Sequence, residues 1–122
     1  MSTTVILGIP DLLFESRVNA VARKHGIATV PTFTPHDLLS KAHGEQPAML
    51  LIDLNAEQLD PLATIASLKE DEHTAGIAII GFISQADAEE RLAAERAGCQ
   101  LVFSRAELLL SLDDVLSGKL LL

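Results

Sequence analysis

The 122-residue chain has no tryptophan and no tyrosine, and only four phenylalanines. That leaves few aromatic platforms of the kind on which single-stranded nucleic acid stacks. Positive charge is also scarce. Nine Lys and Arg face 17 Asp and Glu, a net charge of −8 with no basic run, so a phosphate backbone would be repelled. Cys99 is alone, which excludes an intrachain disulfide. No stretch approaches the roughly 20 apolar residues of a membrane span. The opening "MSTTVILGIP" has no basic leader, and its apolar run is too short for a signal peptide. The expected setting is the cytoplasm, away from nucleic acid and membrane.

What is present is aliphatic. Hydrophobic residues make up 48% of the chain, which argues against disorder. The length suits one domain, residues 1–122, burying about two-thirds of its unfolded surface. Five short apolar runs predict strands at Thr4–Ile9, Ala28–Phe33, Ala48–Asp53, Ala78–Ile83 and Leu101–Phe103. Several are continuous rather than alternating, as in parallel strands buried on both faces.

Helical patterns separate them. Phe14, Val18 and Val21 form one stripe after Asp11, ending near Gly26. Thr34, Pro35 and Asp37 read as N-cap, first helical position and N3 of a second helix, ending at Gly44. Asp60 and Pro61 repeat that logic, Ser84 pairs with Asp87 ahead of a helix closed by Gly98, and a last helix is predicted over Ala106–Ser117. The order is (βα)5. It predicts an α/β, flavodoxin-like, doubly wound five-stranded parallel sheet with strand order 2-1-3-4-5. Ligands of such sheets sit beyond the carboxyl ends of the strands, where "PAMLLIDLN" places Asp53.

The stretch after the first strand, "LGIPDLL", has a lone Gly8, so neither a dinucleotide fingerprint nor a P-loop is present. "LNAEQLD" after the third strand has no phosphate cradle for a flavin. With "LLIDLN", "LDPLATIASLK" and "AERAGCQLVFSRAELL" in these positions, the chain resembles the CheY-like receiver domain of two-component response regulators over nearly its whole length. The resemblance implies a signalling module with Asp53 at the phosphoacceptor position. It also implies an acidic pair after strand 1 for Mg²⁺, a Ser or Thr ending strand 4, and a Lys ending strand 5. Mg²⁺ needs oxygen ligands in near-octahedral geometry and offsets repulsion between carboxylate and phosphoryl group.

The chain departs from that pattern. The acidic pair falls on Ile9 and Pro10, with Asp11 one position late; the hydroxyl falls on Ile83, with Ser84 after it; the lysine falls on Arg105 and the following proline on Ala106. Arg is a planar fork rather than a compact ammonium, so this exchange is not conservative. Asp53 is the candidate phosphoacceptor, with Asp11, Ser84 and Arg105 as candidate neighbours. The bland readings are an Asp53 paired with Arg105 or capping local backbone, and an Asp11 capping the first helix.

Cys99 reads as a packed core thiol. His36 and His43 share a helix face but lie about 10 Å apart along it, too far to share a metal. His25 and His73 fall near helix ends, and none of the four is assigned to a metal. Glu70–Glu72 and Glu89–Glu90 read as solvated surface. Leu108–Leu110 and the Leu120–Leu122 tail exceed one buried stripe, pointing either to a subunit contact or to a tail folded over the sheet edge.

The expected function is a stand-alone, non-enzymatic receiver-like interaction module that does not use Mg²⁺-dependent aspartyl phosphorylation and has no catalytic residue or cofactor. Its partner would be a protein or a second copy, with dimerisation through the last strand and helix. Removing the residues after Gly118 should then change the solution mass. The alternatives are a phosphorylatable single-domain regulator using Asp53, with Mg²⁺ as its cofactor, and a small-anion site built on Arg105.

Overall fold

Alternation along the strands sorts the core into two layers. In the computed structural model, which describes residues 3–121, the strands are β1 (Thr4–Gly8), β2 (Ala28–Pro31), β3 (Met49–Asp53), β4 (Ala78–Ile83) and β5 (Leu101–Ser104). All pair in parallel, in the order β2-β1-β3-β4-β5. The helices are α1 (Leu12–Lys24), α2 (Pro35–Glu45), α3 (Pro61–Glu70), α4 (Ala88–Ala97) and α5 (Arg105–Leu116). Met1, Ser2 and Leu122, parts of the opening segment and leucine tail considered above, lie outside the described residues.

Val5, Leu7, Met49, Leu51, Ile80 and Phe82 point to one face, where Phe14, Val18 and Ala22 of α1 and Leu108, Leu112, Val115 and Leu116 of α5 cover them. Ile6, Leu50, Ile52 and Ile79 point the other way, against Leu38 and Ala42 of α2, Ile65 and Leu68 of α3, and Ala94 of α4. Every residue of β3 is buried, as its continuous apolar run predicts. Cys99 is packed in the second layer, and burial pushes its thiol up to about 12.

Several local expectations are corrected. β1 stops at Gly8 rather than Ile9. β2 ends before Phe33, because the Thr32 N–H and Oγ1 both turn back to donate to the Leu7 carbonyl, at 2.8 and 2.9 Å, and Phe33 is exposed. Ala48 precedes β3 rather than opening it. The buried stripe of α1 runs through Ala22, with Val21 only partly buried. α2 continues to Glu45 and closes on Gln46 in the left-handed region.

Asp60 makes no side-chain cap. A short 3-10 turn at Glu57–Leu59 delivers it at φ +43°, and Thr64 Oγ1 bonds the Leu59 carbonyl instead, at 2.7 Å. Asp87, not Ser84, caps α4, accepting from Glu89 N and Glu90 N. β5 runs one residue further, to Ser104, which caps α5 through a reciprocal capping box with Glu107. That cap starts α5 one residue early, at Arg105. The caps expected at Asp11 and Thr34 are both present.

Candidate functional site

Asp53 is the last residue of β3, on the same face as Met49 and Leu51. It is buried, only 6% exposed, and Phe82 of β4 is its register partner. Its Oδ1 accepts the Asn55 N–H at 2.9 Å. Its Oδ2 faces Arg105 Nη2 at 3.4 Å, a long contact at the edge of hydrogen-bond range.

Arg105 reaches this point because Ser104 caps α5 where β5 ends, leaving the first helical side chain at the carboxyl ends of the strands. Its Nη1 donates to Asp11 Oδ2 at 3.0 Å. The guanidinium also lies on an aromatic pair: its Cζ is 4.7 Å from the Phe14 ring centroid and 5.6 Å from that of Phe82. Those two rings are stacked, 4.8 Å apart and 16° from parallel. The cation therefore bridges two carboxylates and rests on an apolar floor.

The two acids are tuned in opposite directions. Burial raises the Asp53 pKa above its ordinary value of 3.8, against the lowering effect of the Asn55 N–H and Arg105, with Asp11 adding to the rise. Asp11 is lowered, first by the Phe14 N–H and then by Arg105. Its Oδ1 holds the Leu13 and Phe14 N–H groups at the start of α1, and its Oδ2 is on Arg105. One carboxylate thus serves both a helix start and the guanidinium.

Of the residues predicted for the site, Asp53, Asp11 and Arg105 come together. Ser84 does not join them: it is exposed, and reaches Asp53 only through Asn55. Its N–H donates to Asn55 Oδ1 at 2.7 Å, and Asn55 Nδ2 donates to Glu90 Oε1 at 2.9 Å, tying the end of β3 to α4. Ile9 and Ile83, at the expected acidic and hydroxyl positions, are both buried, at 1% and 0% exposed.

Phe14, Phe82 and Asn55 were missed. Phe14 carried a weak signal, being an aromatic three residues after the Asp11 cap. Nothing local marks Phe82 or Asn55, whose roles depend on register and on α4.

These residues do not fit a hard divalent cation. Mg²⁺ takes oxygen ligands at about 2.0–2.1 Å in octahedral array. Here one oxygen of each acid is committed to backbone N–H groups and the other faces a cation already in place.

No protein-family model matches the chain, and no curated protein matches it. Solved structures do: the fold is that of a response-regulator receiver domain. A response regulator from Hahella chejuensis superposes with a TM-score of 0.87 at 9% identity, covering 96% of this chain and 94% of that one. The signal receiver domain of a DNA-binding response regulator from Colwellia psychrerythraea 34H gives 0.83 at 13%, over 100% of both chains. The receiver domain of a sensor histidine kinase from Pseudomonas aeruginosa PAO1, solved with a magnesium ion coordinated in its active-site cleft, gives 0.78 at 17%, covering 96% and 99%. At such identities the likeness speaks to the fold.

Proposed function

We propose that this chain is a receiver-like signalling module whose site is held by its own arginine, and that it works through protein–protein contact rather than aspartyl phosphorylation. The observation that carries this reading is the Arg105 guanidinium spanning Asp11 and Asp53 on the Phe14–Phe82 floor. A guanidinium cannot be deprotonated in proteins, and this one donates to Asp11 and faces Asp53, so its positive charge is resident. An incoming phosphoryl group would have to displace Arg105 from Asp53 and would meet the Asp11 carboxylate without a metal between them.

The same geometry disfavours a small-anion site, since both terminal nitrogens of Arg105 already face carboxylates. The module presents α4, β5 and α5 as a connected surface. Asn55 links the end of β3 to Glu90 of α4, and Arg91 of α4 pairs with Glu107 of α5 at 3.3 Å. Leu110 on α5 is 90% exposed and Leu92 on α4 is 47% exposed. These support a protein partner or a second copy on this side, and no enzymatic step is assigned.

A Mg²⁺ titration followed by backbone amide shifts tests the reading. Wild type is expected to show no saturable change at Asp11, Asp53 or Arg105. A saturable Mg²⁺ shift centred on those residues, lost in Asp53→Asn, would overturn it in favour of a phosphorylatable regulator.

A further inference from the structure

At the opposite end of the sheet, the structure brings one side chain of α2 against two that lie far along the sequence from it. α2 and α3 both run back toward the amino ends of the strands, so their last turns lie side by side there. His43 lies in the last turns of α2, and Asp71 and His73 follow α3. The two imidazole rings are 5.0 Å apart between centroids, and His73 Nδ1 lies 3.2 Å from Asp71 Oδ1. One ligand-capable atom from each of the three falls within 4.8 Å of the others. We infer that His43, Asp71 and His73 form a binding site for a borderline transition-metal cation of the Zn²⁺ class.

The donor set selects that class. Two imidazoles and one carboxylate suit Zn²⁺, Ni²⁺ or Cu²⁺, whereas Mg²⁺ and Ca²⁺ prefer all-oxygen shells. Tetrahedral bonds of about 2.0–2.1 Å place ligand atoms about 3.3 Å apart, so the observed cluster needs only a small inward rotation of side chains. All three residues are exposed, which lets them rotate and leaves a way in for the ion.

The backbone beneath them is fixed. The Thr74 hydroxyl is buried and donates to the Leu68 carbonyl at 2.6 Å. Lys69 Nζ donates to the Ala75 and Ile77 carbonyls, each at 3.0 Å. Ala42, the neighbour of His43, is packed in the core with Leu68. One donor therefore sits on α2 and two in the turn after α3, and the core fixes the backbone that carries them while the exposed side chains close on the ion.

Charge points the same way. Among the described residues no Lys or Arg pairs with Asp71, whose side-chain neighbour is the His73 ring. His36 lines the same surface depression as His43 and Asp71, but two turns of α2 separate it from His43, so it is not counted as a ligand. Three protein donors leave one tetrahedral position open to water.

The test is calorimetric titration of the chelator-treated full chain with Zn²⁺, alongside His43→Ala, His73→Ala and, as a control, His25→Ala, which removes an imidazole paired with Asp113 elsewhere on the surface. Wild type and His25→Ala are expected to bind one equivalent. His43→Ala and His73→Ala should each weaken binding by more than about tenfold. Circular dichroism of each variant checks that it is folded, and Zn²⁺-induced amide shifts should centre on residues 43 and 71–73. No saturable binding by wild type, or binding that survives both histidine variants unchanged, would overturn the inference.

Discussion

At the scale of single residues, one arginine faces two carboxylates that are shifted in opposite directions. Removing it leaves two carboxylates facing each other and uncovers the Phe14 and Phe82 rings. Arg105→Ala is expected to cost about 1–3 kcal/mol in urea unfolding at neutral pH, from the lost cation–π contact and the unpaired Asp53. The loss should shrink in acid, where protonation of Asp53 removes the unpaired charge. Asp53 and Asp11 also predict opposite pH slopes. Because Asp53 is raised in the folded state, its ionisation lowers stability as pH rises from its unfolded value through its folded one. Asp11 is lowered, so its contribution is present above the unfolded value and is lost as pH falls through the folded one. Asp53→Asn should therefore gain stability relative to wild type as pH rises above the ordinary carboxyl value of 3.8. A relative loss over that range would show that the Arg105 contact, not burial, dominates at Asp53.

At the scale of elements, strands were more legible than helix starts. β3 and β4 stand out because residues buried on both faces leave long aliphatic runs, and the β4 bounds were read without error. Caps depend on one or two torsions. Thr34 and Asp11 announced themselves, but Asp60 offered the same chemistry and was turned to φ +43° by the preceding 3-10 turn, which has no comparable mark. The site divides in the same way. Asp53, Asp11 and Arg105 were legible from position along the chain, whereas Phe82 and Asn55 owe their places to contacts across the fold. The histidines show the limit most clearly: spacing within α2 rejected a shared metal for His36 and His43, and no spacing rule pairs His43 with His73. The Ser104 cap links an element to the site, because it places Arg105 at the first turn of α5. Ser104→Ala should cost about 1 kcal/mol in thermal or urea unfolding, and Ser104→Asp should recover most of it. Equal losses in both variants would mean that the hydroxyl is held by something other than the cap.

At the scale of the whole molecule, the charge of −8 and the exposed leucines set what the module can meet. No helix among the described residues is long and apolar enough to cross a membrane. Leu108 is in the core while Leu110 is almost fully exposed, so part of the leucine surplus in α5 has no partner among the described residues. If copies pair through β5 and α5, Leu110→Glu should lower the mass found by light scattering, and removal of the residues after Gly118 should change it too. An unchanged mass in both would direct attention to a different protein partner. If Arg105 holds the site closed to phosphorylation, as proposed above, intact-mass spectrometry after incubation with acetyl phosphate and Mg²⁺ should show it. An ordinary receiver serves as the positive control and Asp53→Asn as the negative one. No phosphoryl adduct is expected on wild type under conditions that modify the control receiver. An adduct on wild type that is absent from Asp53→Asn would contradict it.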